Sequence, residues 1–374
     1  MSRSRTYLDW NATAPLRREA RAAMVAALDV LGNPSSPHAE GRRARGLIED
    51  AREQVAALVG ARPAEVVFTS GGTEANNAVL ARGWDAIVMS SIEHDSVLTP
   101  ALSSGARLVE VAVGGDGVVR KESFAGHMAQ VGRALVSLQM ANNETGALQP
   151  VAEVAAMARQ RGLGMHSDAV QAAGRVPIDM AALGVDYLTL SAHKLGGPKG
   201  IGALVVRDGA ALPAFIAGGG QERRRRAGTE NVAGIAGFGA AAEAASRDLA
   251  EIERVRTLRD KLEAEAREIT PEALVIAGEA QRLPNTTSLA WPGASAETLV
   301  IALDLGGVAV SAGAACSSGK VGASRVLAAM GIAPDMARAA IRISLGPSSG
   351  ERDVAAFLEA WSHIAATRRD RAVA

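Results

Sequence analysis

The chain has 374 residues, 48% hydrophobic and 21% charged, which suits roughly two domains at ~150 residues each and a large buried core, and excludes disorder over most of its length. Forty basic and forty acidic residues cancel, which excludes the broad electrostatic footprint of a nucleic-acid or anionic-membrane binder. Its single cysteine, Cys316, excludes an intrachain disulfide framework.

The arginines of the N-terminus have no apolar stretch behind them, so no secretory signal is expected. The most apolar stretches, Val232 to Ala245 and Leu299 to Cys316, are interrupted by Glu243 and Asp304 and fall short of ~18 uninterrupted apolar residues. A soluble, cytoplasmic protein without membrane contact is expected. Segments 17–31 and 41–59 read as helices, the second with Leu47, Ile48, Ala51, Val55 and Leu58 at helical spacing. Between about residues 65 and 210, seven β-rich runs alternate with helical patterns, at 66–69, 86–89, 108–111, 135–138, 164–167, 187–190 and 202–206. Runs apolar on both faces and separated by helices predict a large α/β domain around a mainly parallel sheet. The stretch Arg247 to Ile269 reads as one long connecting helix stopped by Pro271. It sets the expected boundary between a large domain, 15–245, and a small one, 246–374 joined by 1–14. Downstream, strands at 286–291, 308–311 and 341–345, with helices near 296–305 and 351–366, predict a smaller α+β unit.

Chemistry concentrates at predicted strand ends. The segment Val66 to Asn77 is a strand, a Ser70-Gly71-Gly72-Thr73 turn and a helix start, where free backbone N–H groups favour a phosphate; an ordinary capped turn fits the same residues. No P-loop, G-x-G-x-x-G, H-E-x-x-H or G-x-S-x-G pattern occurs. Only five lysines are present, and Lys194 is the one that ends an apolar run, Tyr187 to His193, before a glycine-rich loop. Strand ends are where α/β sheets hold ligands, although a solvated lysine can also sit there. Asp168 and His94 follow two other strands, so an amine, a carboxylate and an imidazole could meet on one edge; a helix cap or arginine partner is the plainer reading of Asp168. Cys316 lies in the small-residue run Ser311 to Gly319, which predicts an exposed thiol on a mobile loop. Arg223 to Arg226 form the one strongly basic cluster, either a solvated face or an anion site.

Together these segments resemble the cysteine desulfurases, pyridoxal-phosphate enzymes related to the class V aminotransferases. The matching pieces run in family order over nearly the whole chain: Asn33-Pro34-Ser35-Ser36-Pro37-His38, Ser70-Gly71-Gly72-Thr73-Glu74, Glu93-His94, Asn142-Asn143-Glu144-Thr145-Gly146, Asp168-Ala169-Val170-Gln171, Ser191-Ala192-His193-Lys194, Gly218 to Arg223, Ala227 to Asn231 and Ala315-Cys316-Ser317-Ser318. The short loop after Cys316 looks like the branch that acts on free cysteine. The resemblance implies fold type I of the pyridoxal-phosphate-dependent transferases: α/β, with a large domain on a mainly parallel seven-stranded sheet plus a smaller α+β C-terminal domain.

It also implies roles. Lys194 would hold pyridoxal 5'-phosphate covalently and move the substrate's Cα proton, Asp168 would pair with the pyridine nitrogen, Gln171 would contact the ring hydroxyl and His94 would stack on the ring. Gly72, Thr73, Ser191 and His193 would hold the phosphate, joined by Thr229 from a second subunit of a homodimer. Asn143 and Arg342 would orient the carboxylate of L-cysteine. Cys316 would take the sulfur as a persulfide, leaving alanine, and pass it to an acceptor protein for iron-sulfur, other sulfur-containing cofactor or tRNA synthesis. No metal is implied beyond transient contact of Cys316 with an iron-sulfur cluster, and no direct nucleic-acid contact. Departures from the family pattern are Ala14 where a second threonine is common, the long arginine cluster and Gly346-Pro347-Ser348 in place of an arginine. Two alternatives stay open: a selenocysteine lyase or class V aminotransferase that does not use Cys316, and a non-catalytic partner in a sulfur-transfer assembly.

Overall fold

The seven β-rich runs form one sheet in the computed structural model, which describes residues 5–313 and 324–373. After a short strand β1 (Thr6–Tyr7) come β2 (Val66–Thr69), β3 (Ala86–Ser90), β4 (Arg107–Val111), β5 (Ala134–Ser137), β6 (Gly164–Asp168), β7 (Tyr187–Ser191) and β8 (Gly202–Val206). Their order is β2-β8-β7-β6-β5-β3-β4. Neighbours pair parallel except at β8, which runs antiparallel to both β2 and β7. The carboxyl ends of six strands and the amino end of β8 therefore share one edge.

Side chains alternate across the sheet as a period of two requires. Phe68, Val88, Val136, Leu188, Leu190 and Val205 join one core cluster with the helices Ala39–Leu58 and Val232–Asp248. Val67, Ile87, Met89, Leu135, Leu204 and Val206 join another, with the helices Gly72–Leu80 and Asp95–Ser103. The covering helices approach closely: a Cβ on Gly239 would stand 2.5 Å from Ala51 Cα. The expectation of apolarity on both faces fails at β4, one of the two edge strands, where Arg107 and Glu110 are exposed; charge on an edge strand blocks further pairing.

The predicted single helix from Arg247 is also corrected. The helix Val232–Asp248 ends in a tighter turn, Leu249–Glu251, and a second helix, Ile252–Ile269, follows. Asp248 is tied to Arg17 at 2.5 Å, and the bend lets Val255, Leu258, Leu262 and Ala266 face a separate core. That core covers a four-stranded antiparallel sheet of β9 (Leu274–Val275), β10 (Thr286–Ala290), β12 (Ser311–Ala312) and β13 (Ala340–Ser344), in the order β12-β13-β10-β9; β1 pairs in parallel with β11 (Val308–Ala309). Trp361 anchors it, 4.9 Å from Trp291 and 5.7 Å from Phe357 between ring centres. Leu8, from the first residues of the chain, is buried in the same core. Among the described residues no helix is long and apolar enough to cross a membrane.

Candidate active site

The shared edge of the large sheet opens into a cleft of about 700 Å³. β2 delivers the Ser70-Gly71-Gly72-Thr73 turn and the first turn of the helix Gly72–Leu80. A Cβ on Gly72 would stand 2.9 Å from Val170 Cγ2, so glycine here lets the helix start, with its unpaired N–H groups, settle against the loop after β6. β7 delivers Ser191 and the single turn Ala192–Lys194. Lys194 Nζ donates to the carbonyls of Asn11 (2.6 Å) and Ala12 (3.0 Å).

Asp168 closes β6. Its Oδ1 accepts from the Val170 amide at 2.9 Å and its Oδ2 from Asn76 Nδ2 at 2.8 Å. His94 follows β3 as N-cap of the helix Asp95–Ser103, its Nδ1 accepting from the Ser96 amide at 3.1 Å. Gln171 Oε1 accepts from Arg175, which leaves Nε2 as the donor side of the amide, directed at the Asn11 carbonyl at 3.1 Å. Arg175 also donates to the carbonyls of Gln171, Trp10 and Lys194. From β13 of the four-stranded sheet, the buried Arg342 reaches the same cleft. It donates through Nη1 to the Asn143 carbonyl (3.1 Å) and through Nη2 to Asp9 Oδ1 (2.7 Å), while its Nε is buried without an acceptor.

The charges are arranged unevenly. Burial, with Lys194, Lys199 and Arg175 nearby, pushes His193 down to about 4, so its ring is neutral at pH 7. Burial likewise holds His166, between Ser137 and Thr189, at about 4. Burial, and then Arg342, lowers Arg175 to about 9. Two carboxyls behind the cleft go the other way. Burial raises Glu93, which accepts from the Gln139 amide at 2.7 Å, to about 8, with Asp168 adding to the effect. Burial raises Glu144, bonded to Ser324 Oγ at 2.6 Å, to about 7.

Glu93 has a measurable consequence. The folded protein keeps its proton between its ordinary 4.5 and about 8, whereas the unfolded chain releases it, so this residue's contribution to stability falls as pH rises through that window. Glu93→Gln removes the titration. The variant is expected to match the parent's Tm at pH 5 and to exceed it by at least about 2 °C at pH 8; scanning calorimetry at the two pH values checks this.

Of the residues singled out from sequence, Gly72, Thr73, His94, Asn143, Asp168, Gln171, Ser191, His193, Lys194 and Arg342 all line the one cleft. Thr229 does not: it is exposed and stands outside the lining. Cys316 and its predicted loop lie outside the described residues. Two members of the arginine cluster are engaged with their own chain: Arg226 pairs with Glu74 at 3.0 Å and Arg223 donates to the Ala64 carbonyl at 2.5 Å, whereas Arg224 is exposed and Arg225 Nη1 is buried without a partner. Glu222, between them and the core, takes both nitrogens of Arg52 at 2.8 Å. Asn11, Asn76, Ser96 and Arg175 are contacts that the sequence reading missed. Asn76 carried a signal as part of the helix start after Gly72, Asn11 as the first residue of the segment that ends at Pro15, and Ser96 by its place two residues after His94.

The chain matches the family model described as aminotransferase class-V over residues 6–357. It is 43% identical to a cysteine desulfurase of Sinorhizobium fredii, with 93% of each chain covered. Among solved structures, a NifS-like protein of Rickettsia africae superposes with a TM-score of 0.90 at 36% identity, covering 96% of this chain and 99% of that one. A structure titled SspA in complex with cysteine superposes with a TM-score of 0.78 at 29% identity, covering 92% and 100%.

Proposed function

The chain belongs to the class-V aminotransferase family and is a cysteine desulfurase, and from that premise we propose that its cleft binds pyridoxal 5'-phosphate through Lys194, takes L-cysteine as substrate and passes the sulfur to Cys316 as a persulfide. The observation that carries the reading is the convergence of Lys194, Asp168, His94 and the Gly72-Thr73 helix start on one edge of one sheet. The residues fit the cofactor. A helix start walled by Gly72 suits its phosphate, the Asp168 carboxylate suits a protonated pyridine nitrogen, and the fixed Gln171 Nε2 suits an anionic ring oxygen. When bound, the ring supplies an electron sink at the substrate's Cα.

The protein's own groups then divide the work. Lys194, on the carbonyls of Asn11 and Ala12, holds the cofactor and moves the Cα proton. Arg342 lines the cleft with its guanidinium held by the Asn143 carbonyl and Asp9, a planar fork that suits the substrate's carboxylate. Asn143, whose carbonyl braces that guanidinium, shares the substrate end of the cleft. The Cys316 thiolate forms the S–S bond as the substrate's C–S bond breaks, the bonding pair returning to carbon, which is then protonated to give alanine.

The enzyme so read is a homodimer, with Thr229 reaching the phosphate of a second copy, and the cofactor body 15–245 is distinct from the body 246–374 with 1–14 that carries Cys316. An acceptor protein takes the sulfur onward for iron-sulfur, other sulfur-containing cofactor or tRNA synthesis. We place the enzyme in the cytoplasm, where a lone thiol stays reduced.

The test is release of alanine from L-cysteine by the cofactor-loaded protein, with sulfide in equal amount only when a reductant is present; absence of alanine overturns the reading. Arg342→Lys, which loses the planar guanidinium fork, is expected to raise KM for cysteine about 10- to 150-fold, the worth of a charged hydrogen bond, with the bound cofactor's absorbance unchanged. Initial rates across cysteine concentration check it.

A further inference from the structure

Asn76 sits in the helix Gly72–Leu80 and is fully buried. Its Nδ2 donates to two acceptors, Asp168 Oδ2 at 2.8 Å and Ser96 Oγ at 2.8 Å. Turning the amide over would set Oδ1 against the Asp168 carboxylate, so the nitrogen must face both. The amide's own oxygen is buried with no partner, so this orientation is held against the loss of a hydrogen bond.

Direction then passes along the chain of contacts. Ser96 Oγ, having accepted from Asn76, has its proton left to give, and His94 Nδ1 lies 2.8 Å away. The Ser96 backbone amide donates to the same Nδ1 at 3.1 Å. A backbone N–H cannot accept, so Nδ1 must present its lone pair there. Two donors on one ring nitrogen leave the ring proton to Nε2. His94 also caps the helix Asp95–Ser103 through this Nδ1.

We propose that Asn76 is a positioning residue that acts through Ser96 to hold His94 as the neutral Nε2–H tautomer, while the same amide nitrogen fixes the Asp168 carboxylate. His94 then offers the cleft a proton at Nε2 rather than a lone pair. The catalytic consequence rests on the reading given under the proposed function; the tautomer does not.

Long-range ¹H–¹⁵N spectra of the holoenzyme labelled at the histidine ring nitrogens test this, with His94→Asn assigning the signals. Protonated Nε2 and a hydrogen-bonded, unprotonated Nδ1 are expected in the parent protein. Ser96→Ala should move Nδ1 toward the position of an unbonded ring nitrogen, and Asn76→Ala should move it in the same direction. In Ser96→Ala kcat should fall about 2- to 10-fold, as for one lost hydrogen bond, at unchanged KM. The double variant should be no slower than Asn76→Ala alone, the mark of residues acting in series. Asn76→Ala should also shift the absorbance of the bound cofactor through Asp168, whereas Ser96→Ala should not. A proton on Nδ1 of the parent protein, or a His94 spectrum unmoved by Ser96→Ala, overturns the proposal even if Asn76→Ala fails to fold. Either result is compatible with full alanine release by the parent protein, so failure here and failure of the desulfurase reading are told apart.

Discussion

Lys194→Ala is expected to abolish covalent attachment of the cofactor and to lower alanine formation from cysteine on the order of 10⁴-fold or more, because the role proposed for the residue combines covalent attachment and proton transfer. Among the described residues only one other lysine, Lys199, lines the cleft. Lys199 is exposed on the loop before β8, whereas Lys194 closes the turn after β7 and has its amine drawn onto the Asn11 and Ala12 carbonyls. Borohydride reduction followed by peptide mapping should therefore label Lys194 in the parent protein and no lysine in the variant. A label on Lys199 would overturn the assignment. A cofactor retained without covalent linkage in Lys194→Ala would be consistent with it, since the helix start at Gly72 and the Asp168 carboxylate are untouched by the substitution.

What could be read from sequence was whatever repeats or stands next to something that repeats. Most strands of the large sheet announce themselves by a short apolar run, and His94 and Lys194 were legible because each follows such a run; Asp168 closes β6, in which Met165 is the one large apolar residue, and was legible only by its place after a β-rich segment. Residues whose position depends on distant partners were not. Asn76 meets Asp168 across 92 residues and Ser96 across 20, and no periodicity marks a single buried amide. Asn11 lies in an irregular stretch, yet its carbonyl takes bonds from both Lys194 and Gln171 while its side chain holds the Asn143 carbonyl and Thr286. The bend at Leu249–Glu251 was hidden for a related reason. Helical propensity is continuous through the alanine-rich stretch, and what redirects the chain is the packing of the following helix on a second core together with the Arg17–Asp248 pair. The edge position of β4 is likewise a property of the whole sheet, with only the exposed Arg107 and Glu110 to hint at it.

The cysteine carries the second large effect. Cys316→Ala is expected to abolish persulfide and sulfide formation, on the order of 10⁴-fold or more in turnover, the scale seen when a covalent nucleophile is removed. The chain holds one cysteine, so no other thiol of the protein can accept the sulfur. Cofactor binding and capture of L-cysteine should survive, because Lys194, Asp168 and Arg342 are unchanged and act earlier. The two variants thus fail at different stages: Lys194→Ala before the Cα proton moves, Cys316→Ala after it. Exchange of the substrate's Cα proton with deuterated solvent separates them, persisting in Cys316→Ala and vanishing in Lys194→Ala. If Cys316→Ala instead kept most of its cysteine-to-alanine turnover, the sulfur would leave without a protein persulfide, and the assignment of Cys316 as acceptor would give way to a lyase reaction in the same cleft.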